Sequence, residues 1–447
     1  MPKNYIIDNL EYGGSDFVAE SEIPMFFKTS FVDKEKDLNV LSLFSGCGGM
    51  DLGFEGNFIT NRKSINPKSG FIKEVLSEDL VRVSKTRFKT VFANDILKEA
   101  RIAWHNYMSR YGYDSAVYRS ESIVDLVKLH KSGVKVFPDN IDVVTGGFPC
   151  QDFSVAGKRK GFDSDTSHDG GKRDVSDTPK EESRGQLYHW MKEVIEITQP
   201  KIFIAENVKG LISLGDAKDI IQKDFAQAGG NGYIVLTPRV LHAGNYGVPE
   251  SRERVIFIGV RRSALKPEAI YALESENVPD EFNPYPEPTH ACTIEGEGLV
   301  PFVKLKDVFK GLKEPEESVD MSQKFFSGAK FMGTHCQGQN EIDLEKIGPT
   351  IRSEHHGNIE YRRLSREHGG VHLSELDAGM KERRLTPREC ALIQTFPPDY
   401  PFVIKQSGKQ RFVLSSSAAY KVIGNAVPPM LAYNIAMRIQ KIWNKLF

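Results

Sequence analysis

Four short apolar runs, each ending in glycine, proline or an ionisable group, constrain this chain more than any other feature. They are LNVLSLFSGCGG at 38–49, VFAND at 91–95, IDVVTGGFPC at 141–150 and KIFIAENV at 201–208. Each reads as a buried strand that runs into a turn. Between them lie helical stretches such as 187–198, where apolar residues recur every three or four positions. Strands alternating with helices predict a doubly wound α/β sheet. In such sheets ligands sit at the carboxyl ends of the strands. The chemically capable residues all fall there: Phe44-Ser45-Gly46, Asp95, Pro149-Cys150 and Glu206-Asn207.

The chain has 447 residues, enough for two or three domains. Residues 1–37 read as an N-terminal extension, without the apolar segment of a signal peptide. No run is long enough to span a bilayer, so the expected compartment is the cytoplasm. The main α/β unit is expected over 38–262. Two stretches interrupt it: a polar insertion at 57–88 and a strongly hydrophilic loop at 162–184. From 263 to 382 the rhythm stops, prolines cluster at 284–288, and His, Gly and Arg enrich 333–370. This stretch is expected to be a separate, irregular domain. Regular structure returns at 383–447 to complete the first unit.

The five cysteines, Cys47, Cys150, Cys292, Cys336 and Cys390, have no CxxC spacing, which argues against a disulfide framework or a zinc ribbon. His335-Cys336 and His355-His356 match no metal-site pattern, and no metal is expected. The net charge of −1 excludes a general polycation, so any nucleic-acid contact rests on local basic clusters.

The motifs differ in specificity. FSGCGGMDLGFE at 44–55 places glycines where a strand meets a helix, which suits close approach of a ligand but also a plain tight turn. Asp95 stands where an acid would bind ribose hydroxyls, or where a helix cap would stand. In GGFPCQDFSVAGKRKG, at 146–161, a cysteine follows a strand and a proline and precedes a basic loop. That is the setting of a nucleophilic thiolate rather than a core cysteine. Glu206-Asn207 ends a strand with a carboxylate that could engage a ring nitrogen, or with a capping pair. Arg252 and Arg254, two apart in an extended segment, suit anionic or carbonyl oxygens. Thr386-Pro387 with Glu389 is a helix start, and YKVIGNAVPPMLAYNIA at 420–436 is a Gly-Asn turn entering an amphipathic helix.

Taken together and in this order, the motifs resemble the cytosine-5 DNA methyltransferase family over about 38–262 and 381–447. The Pro-Cys, Glu-Asn-Val and Gly-Asn-x-Val segments carry most of the resemblance. It implies a Rossmann-like S-adenosylmethionine-dependent domain plus a smaller target recognition domain. Phe44, Gly46, Gly48 and Gly49 would line the cofactor pocket. Asp95 would bind the ribose and Ile96 would pack on the adenine. Asn425 and Val427 would close the pocket. Cys150 would attack carbon 6 of an extruded cytosine, Glu206 would engage ring nitrogen 3, and Arg254 would contact the carbonyl with Arg252 in support. The chain departs from the family twice. Glu250 stands where the arginine motif usually opens with Gln. Glu121-Ser122-Ile123 stands where Gly-Asp-Ile is usual, which leaves Ile123 in the pocket but no acid at Ser122.

The irregular region occupies the place of the family's sequence-reading domain. Candidates there for base edges are Arg352, His355, His356, Asn358, Arg362 and Arg363. The resemblance implies a monomer acting on double-stranded DNA, without membrane contact, as the modification half of a restriction system with a functionally linked restriction endonuclease. An RNA cytosine methyltransferase on the same fold is the alternative. An amino methyltransferase is disfavoured, because neither FNPYPEP at 282–288 nor FPPDY at 396–400 forms the signature such enzymes need.

Overall fold

The computed structural model describes residues 37–149, 187–293, 298–333, 339–353 and 359–447. Its centre is an eight-stranded sheet of β1 (Leu38–Leu43), β2 (Phe88–Asn94), β3 (Tyr118–Arg119), β4 (Val143–Gly147), β5 (Ile202–Val208), β6 (Tyr233–Val235), β7 (Arg239–His242) and β8 (Glu253–Arg261). The spatial order is β7-β8-β5-β4-β1-β2-β3, with β6 also on β8. The run from β3 through β5 is parallel, and β8 joins β5 antiparallel. The chain winds outward from β1 to β3, then returns to the other side of β1 with β4. The strand order therefore reverses between β1 and β4, which opens a crevice at their carboxyl ends.

Two-residue alternation along the strands feeds two cores, one on each face. Val40, Ile202, Ile204, Ile256 and Ile258 face one; Leu41, Leu43, Phe203, Ala205, Val255 and Phe257 face the other. Helices α1 (Gly49–Glu55) and α2 (Lys98–Met108) cover the first face. Helices α3 (Ile123–Lys131), α4 (Leu187–Thr198) and α5 (Ala217–Ala226) cover the second. The expected doubly wound sheet is thus present. Among the described residues no helix is long and apolar enough to cross a membrane.

The C-terminal segment returns to this unit. Helix α6 (Pro387–Ile393) starts with Thr386 and Glu389 capping each other's backbone and Pro387 in its first turn, as its sequence signature predicts. Helix α7 (Ser416–Asn425) ends at a turn, and α8 (Pro429–Leu446) then lies along α1. The approach is close because Gly53 has no side chain. A Cβ there would stand 2.4 Å from the Cβ of Ala432 and 2.6 Å from the Pro429 carbonyl. Gly53→Ala should therefore force the two helices apart and destabilise the fold by about 2 kcal/mol, the usual range for overpacking. Urea denaturation checks this; an unchanged midpoint would mean that the contact is slack.

The structure adds detail at two places in this organisation. The 57–88 insertion is an ordered three-stranded antiparallel sheet of Ile59–Asn61, Ile72–Val75 and Leu80–Val83. Phe58, Val81 and Val83 anchor it in the first core, and its outer edge meets the irregular region. There Lys63 pairs with Asp307, and Asn66 donates to the carbonyls of Thr289 and Gly298. The segment that follows 262 packs on the same core. Leu265, Ala269, Leu273 and Tyr285 belong to the first core, and the Tyr285 hydroxyl donates to the Ile256 carbonyl. The 162–184 loop lies outside the described residues.

Candidate active site

Strand register brings the suspect residues into one row. Leu43 is opposite Asn94 on one side and Gly146 on the other, and Gly147 is opposite Glu206. Adjacent strands lie about 4.8 Å apart. The turns after β2, β1, β4 and β5 therefore open side by side onto the crevice.

The turn after β1 is held in a left-handed path, with φ of 52° at Phe44 and 56° at Gly46. The Ser45 amide donates to the Asn94 carbonyl at 2.9 Å, and the Tyr118 hydroxyl donates to the Gly46 carbonyl at 3.0 Å. Asp95 receives the Gly46 amide at 3.0 Å on one carboxyl oxygen and the Leu97 amide at 2.9 Å on the other. It thus ties the glycine turn to the start of α2. Burial pushes its carboxyl above the usual carboxylate range. A Cβ built on Gly46 meets nothing within 4 Å, so this backbone faces open space. Ile96, beside it, is 38% exposed although apolar.

A buried support lies beneath the turn, one that reading the motifs in sequence did not find. Asp51 accepts from Ser42 Oγ and, at 2.7 Å, from Trp104 Nε1. Burial raises its carboxyl to about 6. Gly48 sits directly on Trp104: a Cβ there would come within 2.5 Å of the indole. The signal in the sequence was a pair of acids one turn apart, Asp51 and Glu55, in an otherwise apolar helix.

On the other side of the crevice, Arg254 Nε lies 2.8 Å from Glu206 Oε1, with both side chains nearly buried. Glu206 is also backed by Gly147, where a Cβ would fall 2.7 Å from its second carboxyl oxygen. Asn207 donates to the Phe148 carbonyl at 3.2 Å and accepts from the Val208 amide. It therefore fixes the turn that leads into Pro149. Cys150 itself lies outside the described residues.

The turn between α7 and α8 closes on the glycine turn. A Cβ on Gly49 would meet the Val427 carbonyl at 2.2 Å. Val427 is buried and Asn425 is exposed. Ile123 is buried in the second core, and Ser122 caps α3 by accepting from the Val124 amide. Arg252 and Arg254 do not act as a pair. Arg252 is fully buried and donates to three backbone carbonyls, those of Ile351, Gly424 and Ala426.

The base-reading candidates divide. Arg363 is wholly buried and binds Glu375, Glu314 and the Lys381 carbonyl, while Arg362 pairs with Glu375 at 2.6 Å. Arg363 has no face left for a base edge, and Arg362 is held by the same carboxylate. Arg363 is thus a scaffold residue of the irregular region. Arg352 is half-buried, on the segment that enters 354–358. His355, His356 and Asn358 lie outside the described residues.

The chain is similar to known proteins along most of its length. Residues 38–441 match the model of the C-5 cytosine-specific DNA methylase family. The Type II methyltransferase M.BsuRI of Bacillus subtilis is 30% identical over 450 residues, covering 98% of this chain and 87% of that protein. M.BspRI of Lysinibacillus sphaericus is 31% identical over 420 residues, covering 91% and 82%. The crystal structure of the S. pombe Dnmt2 methyltransferase superposes with a TM-score of 0.50 at 16% identity, covering 90% of this chain and 98% of that one, and supports the fold. The match over nine-tenths of the sequence, on a sheet whose strand ends carry the family's motifs, places this chain in the C-5 cytosine-specific DNA methylase family as a DNA (cytosine-5-)-methyltransferase.

Proposed function

We propose that the protein methylates carbon 5 of cytosine within one short double-stranded DNA sequence, using S-adenosylmethionine and a covalent adduct to Cys150. The observation that carries this reading is the Glu206–Arg254 pair. It stands one strand from the Gly147-Phe148-Pro149 turn that enters Cys150, and two strands from the glycine turn.

The cofactor fits the residues present. The open backbone at Gly46, the exposed apolar Ile96 and the Asp95 carboxyl offer room, a flat-ring contact and a hydroxyl acceptor on one rim. Bound S-adenosylmethionine supplies an electrophilic methyl on a sulfonium. Asp95→Ala would remove both the ribose acceptor and the tie on Gly46. A charged hydrogen bond contributes about 1.5–3 kcal/mol, so the dissociation constant for S-adenosylhomocysteine should rise on the order of 10- to 100-fold. Calorimetry reads this directly, and an unchanged constant would remove Asp95 from the pocket.

On the cytosine side, carbon 5 is a weak nucleophile. Addition of the Cys150 thiolate to carbon 6 forms a C–S bond and shifts the ring's double-bond electrons towards carbon 5. Glu206 engages ring nitrogen 3, and Arg254 contacts the ring carbonyl while holding Glu206 in place. Carbon 5 would then take the methyl as the methyl–sulfonium bond breaks, with S-adenosylhomocysteine leaving, and would give up its proton to water. Elimination of the thiolate restores the ring double bond. The target base must leave the duplex to reach this row of strand ends. Arg352, His355, His356 and Asn358 are the proposed sequence readers, and protection of host DNA in a restriction–modification system is the proposed role.

Incubation with tritiated S-adenosylmethionine and either plasmid DNA or total RNA tests the substrate class. Label in DNA alone is expected. Label in RNA alone would replace this reading with the RNA alternative.

A further inference from the structure

A carboxyl that the chemistry above does not use lies beneath the glycine turn. Asp51, on α1, is 1% exposed. A carboxylate only accepts hydrogen bonds, so each neighbour turns a donor towards it. Trp104 Nε1 donates to Oδ2 at 2.7 Å, and Ser42 Oγ donates to Oδ1. With its hydrogen committed there, Ser42 Oγ accepts from Ser45 Oγ at 2.8 Å. Ser45 Oγ in turn accepts from the Asn94 amide at 3.1 Å, and the Asn94 carbonyl accepts the Ser45 amide at 2.9 Å. The hydroxyl hydrogens of this relay all point towards Asp51, and each bond polarises the next.

The relay ends at the rim of the crevice. Ser45 stands between Phe44 and Gly46, whose φ values of 52° and 56° make the left-handed turn. A phenylalanine stays in that region only where its surroundings hold it. Asn94 precedes Asp95, which accepts the Gly46 amide. The Asn94 side chain donates to the carbonyls of Arg119 and Glu121 at 3.1 and 2.8 Å. One relay thus joins the ends of β1, β2 and β3.

We propose that Asp51, as a carboxylate, is a positioning residue for S-adenosylmethionine: it orients the Ser42–Ser45–Asn94 relay and so holds the glycine turn in the shape that the cofactor binds. The proposal rests on the methyltransferase reading above. Protonation of Asp51 reverses the relay. Trp104 can only donate, so it keeps one oxygen and the acid hydroxyl faces Ser42. The Ser42 hydroxyl then turns towards Ser45, whose own hydrogen is left with the Ser42 carbonyl at 3.1 Å. The charge that anchored the chain is gone, and charge-assisted bonds are the stronger kind. Asp51→Asn imposes the same reversal at every pH, because its amide nitrogen takes the place of the acid hydroxyl.

Burial lifts the Asp51 carboxyl to about 6, within reach of a titration. The titratable groups around it are Cys47 after β1, Tyr118 on β3, Tyr113 after α2 and Tyr400 after α6, and burial keeps all four neutral. The other carboxyls nearby are Glu55, bonded to Tyr113 and the Thr90 amide, and Asp95. Wild type and Asp51→Asn share all of these, so a difference between them belongs to Asp51.

The test measures the dissociation constant of S-adenosylhomocysteine by calorimetry on the full chain, at pH 8 and pH 5. Urea midpoints establish that each protein is folded at both. At pH 8, Asp51→Asn should bind about tenfold more weakly than the wild type, the range for one charged hydrogen bond. At pH 5 the wild type is itself largely protonated before binding, and linkage should shrink the ratio to about twofold. A merely structural lesion would weaken binding by the same factor at both pH values. If Asp51→Asn does not fold, Ser42→Ala decides the matter: it cuts the relay next to Asp51 and should show the same deficit at pH 8, narrowing at pH 5. A ratio that does not change with pH, or a folded variant that binds like the wild type at pH 8, overturns the positioning role alone. A wild type that binds no S-adenosylhomocysteine at pH 8 and methylates no plasmid overturns the functional reading as well.

Discussion

Cys150→Ala should abolish methyl transfer, with a loss on the order of 10⁴-fold or more, because removal of a nucleophile forfeits the whole covalent route. Cofactor affinity should stay near that of the wild type. The glycine turn, Asp95 and the Asp51–Trp104 support are built from β1, α1, β2 and α2, and the hydrogen bonds that hold them do not involve the turn after β4. A variant that binds S-adenosylhomocysteine normally and transfers no methyl separates chemistry from binding. Residual transfer within tenfold of the wild type would mean that carbon 5 is activated in some other way.

Glu206→Gln should lower turnover on the order of 10²- to 10³-fold, in the range for loss of one group that handles a proton on the reacting ring. The substitution is nearly isosteric, which matters here. Glu206 is packed against Gly147 and bound to Arg254, so a shorter side chain would disturb both neighbours. Gln keeps the volume and loses the charge that pairs with Arg254. Single-turnover kinetics at saturating DNA would place the loss in the chemical step. If instead only the KM for DNA rises, Glu206 serves binding and its role on ring nitrogen 3 falls.

Much of this site could be read from the sequence because its parts are strand ends. A buried strand announces itself locally, and so does the turn that stops it; β1, β2, β4 and β5 all lie where the apolar runs predict, and α4 spans the expected 187–198. What could not be read depends on distant partners. Asp95 allowed two local readings, and it is the Gly46 amide, 49 positions away, that shows its hold on the glycine turn. Arg252 looked like a companion of Arg254, yet its partners lie 99 to 174 residues further on. Arg362 and Arg363 looked like base readers because a charged pair in a loop-rich stretch is normally solvated. Here Glu314 and Glu375 bury and neutralise Arg363. The 57–88 insertion read as polar because its edge strand Ile72–Val75 shows mostly exposed positions, while the central strand Leu80–Val83 and the start of Ile59–Asn61 pack inward.

The central claim is sequence-specific methylation of cytosine carbon 5 through Cys150. Bisulfite sequencing of a plasmid incubated with S-adenosylmethionine and either wild type or Cys150→Ala tests it most directly. The account predicts protected cytosines at every copy of one short motif with the wild type and none with the variant. Protection scattered without a motif, or protection that survives the loss of Cys150, would contradict it.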